Sequence, residues 1–449
     1  MPRFWRNIVV YKGHEWLDLA LSRCAGAPAD VALRSPRLST NIFTSILPRY
    51  SRSLRSVDAQ DLSPSAKLLL LDFLKDTPMP ILRSLTIVVG PRYREIHLNA
   101  KSLPKLRRLS LTGFVISRGN GLHSQLRNLA LTGCSWSISL GEFLDILEAS
   151  SRLQSLVADR CTFPLFSATA APPSRRHAVA MPHLRVLTLS GLPSSTVACL
   201  LSFLRLRKKI AVKLVGAVEP EQTNAAALVD LLPDDPWIAV PVIQTIISVT
   251  VRPGAFIRTY GLYASGVDGR ALELYASYTE DRKIVPRVFR ALPLLFADAP
   301  VSKLIIDGGL EYLAEVDWVG VFKTFHHLEH IVIGGAGGLS TMFRGLRRAS
   351  EETGAPQAAQ AAALCCARLS VIETDAKNPK MPAADCVFDS MLAALRVRAE
   401  QGLRLERVYL GLIHDAHDHY RKNETLYGER LRALVSCVEY LSTGIKCRA

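Results

Sequence analysis

The residues of this chain best suited to chemistry form a short histidine-rich run, His414-Asp415-Ala416-His417-Asp418-His419. Histidine and aspartate at such close spacing can bind zinc or a pair of metal ions. The H-x-H-x-D-H arrangement of metal-dependent hydrolases needs a histidine two residues after the first, and Ala416 occupies that place. A metal-dependent hydrolase at the His414–His419 cluster is therefore kept as the second alternative, and the simpler interpretation is a solvated polar loop.

Motifs of the common enzyme classes are absent from the sequence. There is no H-E-x-x-H metalloprotease motif, no G-x-S-x-G nucleophile elbow and no G-x-x-x-x-G-K-[ST] phosphate loop. The nine cysteines are scattered and include no C-x-x-C pair, so they suggest neither a zinc site nor a disulfide framework. The sequence therefore predicts a protein that is not an enzyme, with no metal site and no cofactor.

The dominant pattern of the chain is an apolar residue followed by others three and five positions later. Successive copies start 20 to 31 residues apart, at Leu54, Leu82, Leu106, Leu126, Leu153 and Leu184. Apolar residues with helical spacing precede several copies, and a glycine follows the strand segment at Gly113, Gly133, Gly191 and Gly334. This is the strand segment of a leucine-rich repeat, with Cys134 and Cys161 in the ninth place.

These repeats predict an α/β fold, an irregular leucine-rich-repeat solenoid with short parallel strands on the concave face and helices on the convex face. We expect an N-terminal cap at 1–50, repeats at 51–214, an irregular β-rich segment at 215–300 and degenerate repeats at 301–449. Within the β-rich segment, Phe256–Ala264 and Ala271–Tyr278 are predicted strands around a Gly266-Val267-Asp268-Gly269 turn.

The positive charge is concentrated in the first half of the chain. Residues 1–210 hold 29 Lys and Arg against 12 Asp and Glu, whereas residues 211–449 hold 26 against 28. A basic half can bind nucleic acid, and this is the first alternative function. Aromatic residues are not interleaved with the charges, as base stacking would need, which favours the simpler interpretation that arginines fill polar places of the repeats.

The exposed side of the predicted strands is the expected contact surface for a partner. Side chains alternate along a strand, so that Leu109 and Leu111 face the core while their neighbours face outward. Loop and surface positions of a rigid scaffold commonly carry binding residues. The predicted partner-binding residues are Arg108, Ser110, Thr112, Asn128, Thr132, Ser155, Asp159, Thr188 and Ser190.

The N-terminal residues add a family resemblance. Pro2-Arg3-Phe4-Trp5-Arg6-Asn7-Ile8 resembles the end of an F-box, and Trp16–Arg23 followed by Ala27–Leu33 resembles the helix, small-residue turn and strand that come next in such proteins. Together with the repeats, the chain is similar to F-box/leucine-rich-repeat proteins of mushroom-forming (basidiomycete) fungi. The resemblance implies that the repeats hold a protein for ubiquitination by a cullin-RING ligase, whose adaptor the F-box would bind. Nearly all of that F-box would lie before Met1.

We therefore expect a non-enzymatic protein-binding repeat scaffold, and the resemblance implies that it recognises substrates for a cullin-RING ubiquitin ligase. Its partner is an unknown protein, with the ligase adaptor as a second partner only if an F-box precedes this chain. No apolar stretch reaches the roughly 20 residues of a membrane span and no secretory signal is present, so the expected location is intracellular, cytoplasmic or nuclear.

Overall fold

The computed structural model describes residues 5–11, 13–89, 94–116, 122–136, 138–163, 178–216, 228–253, 259–267, 269, 271–277, 281–334, 338–353, 365–375, 384–412 and 427–442. The chain divides into two compact units, Met1–Val212 and Lys213–Ala449. Most strands pair in parallel and helices connect many of them, so the predicted α/β class is confirmed.

The first unit is built on one parallel sheet whose strands follow one another in chain order. Its strands are β1 (Asn7–Val10), β2 (Ala29–Leu33), β3 (Leu54–Ala59), β4 (Ser84–Val88), β5 (Arg94–Ile96), β6 (Arg108–Thr112), β7 (Phe114–Ile116), β8 (Asn128–Thr132), β9 (Ser135–Trp136), β10 (Ser155–Asp159), β11 (Val179–Ala180), β12 (Val186–Leu192) and β13 (Leu204–Arg205). The large sheet runs β1-β2-β3-β4-β6-β8-β10-β12, each pair parallel. Two small parallel sheets accompany it, β5-β7-β9 and β11-β13.

The core of this unit lies against one face of the large sheet. The first row of in-register apolar side chains is Leu85, Leu109, Leu129, Leu156 and Leu187, and the second is Ile87, Leu111, Leu131, Ala158 and Leu189. All ten are buried, with at most 6% exposure. The residues between them face outward, which follows from the period of two along a strand. The predicted alternation is therefore confirmed on these strands.

Helices complete the core of the first unit. They are α1 (His14–Arg23), α2 (Leu47–Tyr50), α3 (Pro64–Asp76), α4 (Leu140–Ala149) and α5 (Ser194–Ser202), with a π-helix at Ile42–Ile46 and 3₁₀ turns at Ser51–Ser53 and Leu122–Gln125. Local sequence specifies where α4 begins, because Ser139 and Glu142 form a capping box. Phe143 on α4 packs edge-on against Trp136 at a centroid distance of 4.8 Å, which brings α4 against the end of β9.

The two cysteines in the ninth place of the repeat pattern are buried. The Cys134 thiol donates to the Leu111 carbonyl at 3.4 Å, and the Cys161 thiol donates to the Leu131 carbonyl at 3.5 Å. Burial raises the pKa of Cys161 to about 12 and raises that of Cys134 as well. Each thiol thus satisfies a carbonyl of an earlier strand, and the predicted role as small buried groups is confirmed.

The glycines after the strands serve the chain in two different ways. Gly113, Gly133 and Gly191 have φ values of 77°, 55° and 63°, as the predicted sharp turns require. The same reason was wrong for Gly334, which is not among the glycines with positive φ. A Cβ there would lie 2.7 Å from Asp307 Oδ1 and 3.4 Å from Asp307 Cα, so a side chain at this position would require the Asp307 side chain on the neighbouring strand to move.

The second unit also contains a mostly parallel sheet. The strand β14 (Ala211–Gly216) begins with the last two residues of the first unit. The strands that follow are β15 (Ile246–Pro253), β16 (Thr259–Gly266), β17 (Ala271–Ser277), β18 (Lys303–Asp307), β19 (His330–Gly334), β20 (Val371–Asp375), β21 (Leu405–Leu412) and β22 (Val435–Ser442). The pairs from β15-β18 through β21-β22 are parallel. The pairs β15-β16 and β16-β17 are antiparallel, and β17 also pairs with β14, so the predicted hairpin lies between β14 and β18 in the sheet.

The segment predicted as β-rich, 215–300, also contains a long helix, so that description was incomplete. The helices of this unit are α6 (Pro236–Ala239), α7 (Asp281–Phe296), α8 (Glu315–Thr324), α9 (Leu339–Thr353) and α10 (Ala384–Glu400), with 3₁₀ turns at Val229–Leu231, Pro241–Thr245 and Leu310–Tyr312. The helix α7 contains Pro286 and Pro293, which ordinarily argue against a helix. Burial of Phe289 and Leu292 between them offsets that preference.

Candidate functional site

The predicted partner-binding residues occupy three neighbouring rows across β6, β8, β10 and β12. Arg108, Asn128 and Ser155 share the first row, Ser110 and Thr188 the second, and Thr112, Thr132, Asp159 and Ser190 the third. None of the nine is buried. The structure thus places all of them on one exposed face, although only Arg108 and Asn128 line a depression in it.

This depression lies at the end of the sheet where the strands begin. It has a volume of about 550 Å³. The residues lining it are Asp30, Arg55, Ser56, Arg83, Ser84, Arg107, Arg108, Arg127, Asn128 and Gln154. All ten are polar, and five are arginines, so the lining can offer many hydrogen-bond donors to a ligand.

Two adjoining rows of residues build the depression. The first, which we call the arginine row, consists of Arg55, Arg83, Arg107 and Arg127, the residues in the second place of successive repeats. Main-chain hydrogen bonds of 2.7 to 2.9 Å join each of these residues to the next, and the Gln154 N–H continues the series to the Arg127 carbonyl. The second row is Asp30, Ser56, Ser84, Arg108 and Asn128, held in register by the sheet.

The single carboxylate of the depression is already engaged. Arg55 Nε donates to Asp30 Oδ1 at 2.9 Å, and Arg55 Nη2 donates to the other carboxylate oxygen. This hydrogen bonding raises the pKa of Arg55. The pair is therefore close to neutral, and it closes one end of the depression.

Other carboxylates on the strands of the large sheet are engaged as well. Asp58 pairs with Arg34, and Asp159 accepts hydrogen bonds from Ser190 and from Arg160. Four arginines of the depression, Arg83, Arg107, Arg108 and Arg127, are exposed and make no ion pair with any carboxylate that the structure describes. Their four positive charges thus lie at one depression, and no carboxylate in the described part of the chain neutralises them.

Sequence reasoning identified Arg108 and Asn128 but missed the arginine row. The signal was present, since arginine occupies the second place of the repeats that start at Leu54, Leu82, Leu106 and Leu126. In three of the four repeats, this arginine lies one residue before the strand begins. The alternation of side chains within the strands therefore does not include it.

The metal alternative remains without structural information. The His414–His419 cluster lies outside the described residues. Within the described ranges, no group of three or more His, Cys, Asp or Glu side chains is arranged to hold a metal ion. Among the described helices, none is both long and apolar enough to cross a membrane.

Comparisons with known proteins give no family for this chain. No family model matches it, and no curated protein shows significant similarity to it. Any functional conclusion therefore depends on the geometry of the depression and of the exposed rows beside it.

Proposed function

We propose that this chain is a non-enzymatic, protein-binding repeat scaffold of the leucine-rich-repeat type. The observation that carries this proposal is the in-register arrangement of the first unit, in which repeated strands present buried apolar rows on one face and polar rows on the other. Arrays of this kind commonly use an extended sheet surface to hold a partner.

The repeat assignment has support from several independent features of the first unit. Strands pair in chain order, the pattern recurs every 20 to 31 residues, and the two ninth-place cysteines each donate to a backbone carbonyl of an earlier strand. The exposed rows of β6, β8, β10 and β12 are then the partner-binding surface, with the depression at their beginning.

A charge reversal on this surface tests the proposal. The Arg108→Glu variant and the wild-type chain are used as baits in the same cell extract, and the captured proteins are quantified by mass spectrometry. We expect Arg108→Glu to lose at least about tenfold of the specific partner, because a central interface charge of the wrong sign costs several kcal/mol. Arg396→Glu, on the exposed surface of α10, is the matched control and should keep the wild-type partners. Identical partner sets for all three proteins would refute this choice of surface.

We further propose, from the resemblance of residues 2–33 to the region around the end of an F-box, that the gene product serves a cullin-RING ubiquitin ligase. Its endogenous, tagged form should then co-purify with the adaptor and the cullin. A purification that contains the bound partner but neither ligase subunit would overturn the ligase assignment and leave the scaffold proposal intact.

The nucleic-acid alternative has one structural observation in its favour, the four arginines that pair with no carboxylate among the described residues. The lining of the depression contains no aromatic side chain on which a base could stack. A protein partner is therefore the better match for this surface.

A further inference from the structure

We propose that the depression binds a phosphoserine- or phosphothreonine-containing segment of the protein partner, with Arg83, Arg107, Arg108 and Arg127 contacting the phosphoryl group and its acidic neighbours. This inference rests on the proposed scaffold function and names the chemistry of its ligand.

The charge of the depression calls for an anionic ligand. Four guanidinium groups face one volume of about 550 Å³, and the only carboxylate in its lining is held by Arg55. Like charges this close repel one another, so their arrangement is unfavourable to the free protein. A ligand that carries two or more negative charges at this place relieves that repulsion.

The fold does not require these arginines. In the second unit, the residues at the same place of the repeat pattern are Ser302, Glu329, Ser370 and Glu406. They are joined by main-chain hydrogen bonds of 2.8 to 2.9 Å in the same manner as the arginine row. Serine and glutamate thus serve the backbone equally well, and the choice of arginine in the first unit has a reason outside the backbone.

The hydrogen-bonding geometry favours a phosphoryl group over an isolated carboxylate. Arginine presents a planar fork of donors that matches phosphate and carboxylate oxygens. A carboxylate has two oxygens, whereas a phosphoserine has three strong acceptor oxygens and a charge of roughly −1.5 to −2 at pH 7. With its third oxygen and its larger charge, the phosphoryl group can accept from more arginines at once than a carboxylate can, which is how arginine clusters recognise phosphorylated motifs.

The spacing of the rows suits an extended peptide. Neighbouring strands lie about 4.8 Å apart, so the arginine row from Arg83 to Arg127 spans roughly 10 Å. An extended peptide covers that distance in about three residues. Ser56, Ser84 and Asn128 line the floor of the depression and can form hydrogen bonds with a peptide backbone.

The test is a binding measurement with defined probes. A fluorescein-labelled pool of nine-residue peptides with a central phosphoserine is titrated by anisotropy with the full chain. The same pool with central Ser or Asp, and a 12-nucleotide oligo-dT, serve as comparisons. We expect the phosphoserine pool to bind at least tenfold more tightly than either unphosphorylated pool and than the oligonucleotide. Equal affinity for the Asp pool would overturn the phosphoryl assignment, and tighter binding of oligo-dT would establish nucleic acid as the ligand class.

Variants locate the binding in the depression. The double variant Arg107→Gln/Arg127→Gln should bind the phosphoserine pool at least tenfold more weakly, since charge-assisted hydrogen bonds contribute more than neutral ones. Arg107→Lys/Arg127→Lys keeps the charge and should recover only part of the affinity, because lysine lacks the planar fork. Arg396→Gln removes one charge elsewhere and should bind normally. Thermal melts establish that the variants are folded, and unchanged affinity in the folded double Gln variant would refute the proposal.

A pH titration separates phosphate from carboxylate recognition. The second pKa of a phosphoserine is about 6, so lowering the pH from 7.5 to 5.5 should weaken phosphopeptide binding several-fold. Carboxylates of Asp and Glu stay charged over this range. No detectable binding of the phosphoserine pool, together with partner capture that still depends on Arg108, would refute the phosphoryl assignment alone. If the phosphoserine pool does not bind and partner capture does not depend on Arg108 either, the scaffold proposal is refuted as well.

Discussion

Arginine serves opposite purposes at two places in this chain. Arg83, Arg107, Arg108 and Arg127 of the depression are exposed and pair with no carboxylate that the structure describes, whereas Arg398 on α10 is only 1% exposed. Its guanidinium donates to three backbone carbonyls, those of Cys365 and Cys366 at 3.1 Å and that of Leu369 at 3.5 Å. Burial lowers the pKa of Arg398, but the carbonyl oxygens stabilise its positive charge. The same hydrogen bonds stabilise the turn that precedes β20.

Removing the Arg398 guanidinium should therefore destabilise the protein. Arg398→Met keeps most of the apolar stem but removes the hydrogen bonds to the carbonyls of Cys365, Cys366 and Leu369, of which that of Cys366 still accepts from the Leu369 N–H. We therefore expect a loss of about 3 kcal/mol in the free energy of unfolding. Urea denaturation followed by circular dichroism measures it. Arg396→Met, two residues away and exposed on the same helix, should cost less than about 0.5 kcal/mol. Equal stability of the two variants would show that the carbonyl contacts contribute little.

At the scale of the element, the turns that follow the strands decide whether neighbouring repeats can approach. Gly133 and Gly191 look equivalent in the sequence, and both have positive φ. A Cβ at Gly133 would meet nothing within 4 Å, whereas a Cβ at Gly191 would lie 2.5 Å from Arg160 Cγ and 3.2 Å from its Cα. The second glycine therefore serves both the turn and the contact with the preceding repeat.

An alanine at each glycine separates these two effects. Gly133→Ala should lose about 1 kcal/mol through backbone strain alone. Gly191→Ala should lose about 1 kcal/mol more, because the side chain and backbone of Arg160 must move. Chemical denaturation of both variants gives the comparison, and a smaller loss for Gly191→Ala than for Gly133→Ala would contradict it.

Elements were predictable from the sequence where the local pattern and the tertiary environment agree. The strands around Leu85, Leu109 and Leu129 follow from a period of two with one buried face. The helix α7 was not predictable in this way, because Pro286 and Pro293 locally disfavour a helix. Burial of its apolar residues stabilises the helix by more than the two prolines cost. Similarly, Gly334 signalled a turn, although the actual requirement is set by Asp307 on another strand.

At the scale of the whole molecule, the charge is uneven along the chain. Residues 1–210 carry an excess of 17 positive charges, whereas residues 211–449 carry an excess of two negative charges. The depression lies within the basic part. Such a field accelerates the approach of an anionic partner and is screened by salt.

Salt should therefore act mainly on the association rate of the phosphoserine probe. Raising the salt concentration from 0.1 to 1 M shortens the screening length from about 10 to about 3 Å, and we expect association to slow by about tenfold with a smaller change in dissociation. Surface plasmon resonance resolves the two rates. Arg52→Gln/Arg152→Gln, which removes exposed charges of the first unit outside the depression, should slow association slightly and leave dissociation unchanged. An association rate that does not depend on salt would contradict electrostatic steering.

The sequence by itself determined which residues of a repeat are buried, because the period of a strand and the apolar spacing are local properties. It also determined that Arg108 and Asn128 face outward. Only the tertiary structure decided that arginines separated by 20 to 28 residues along the chain become neighbours on adjacent strands. The pairing of Arg55 with Asp30, 25 residues away, likewise comes from strand register. Register depends on packing across the whole sheet, and it is what leaves the other four arginines with their charges available to a ligand.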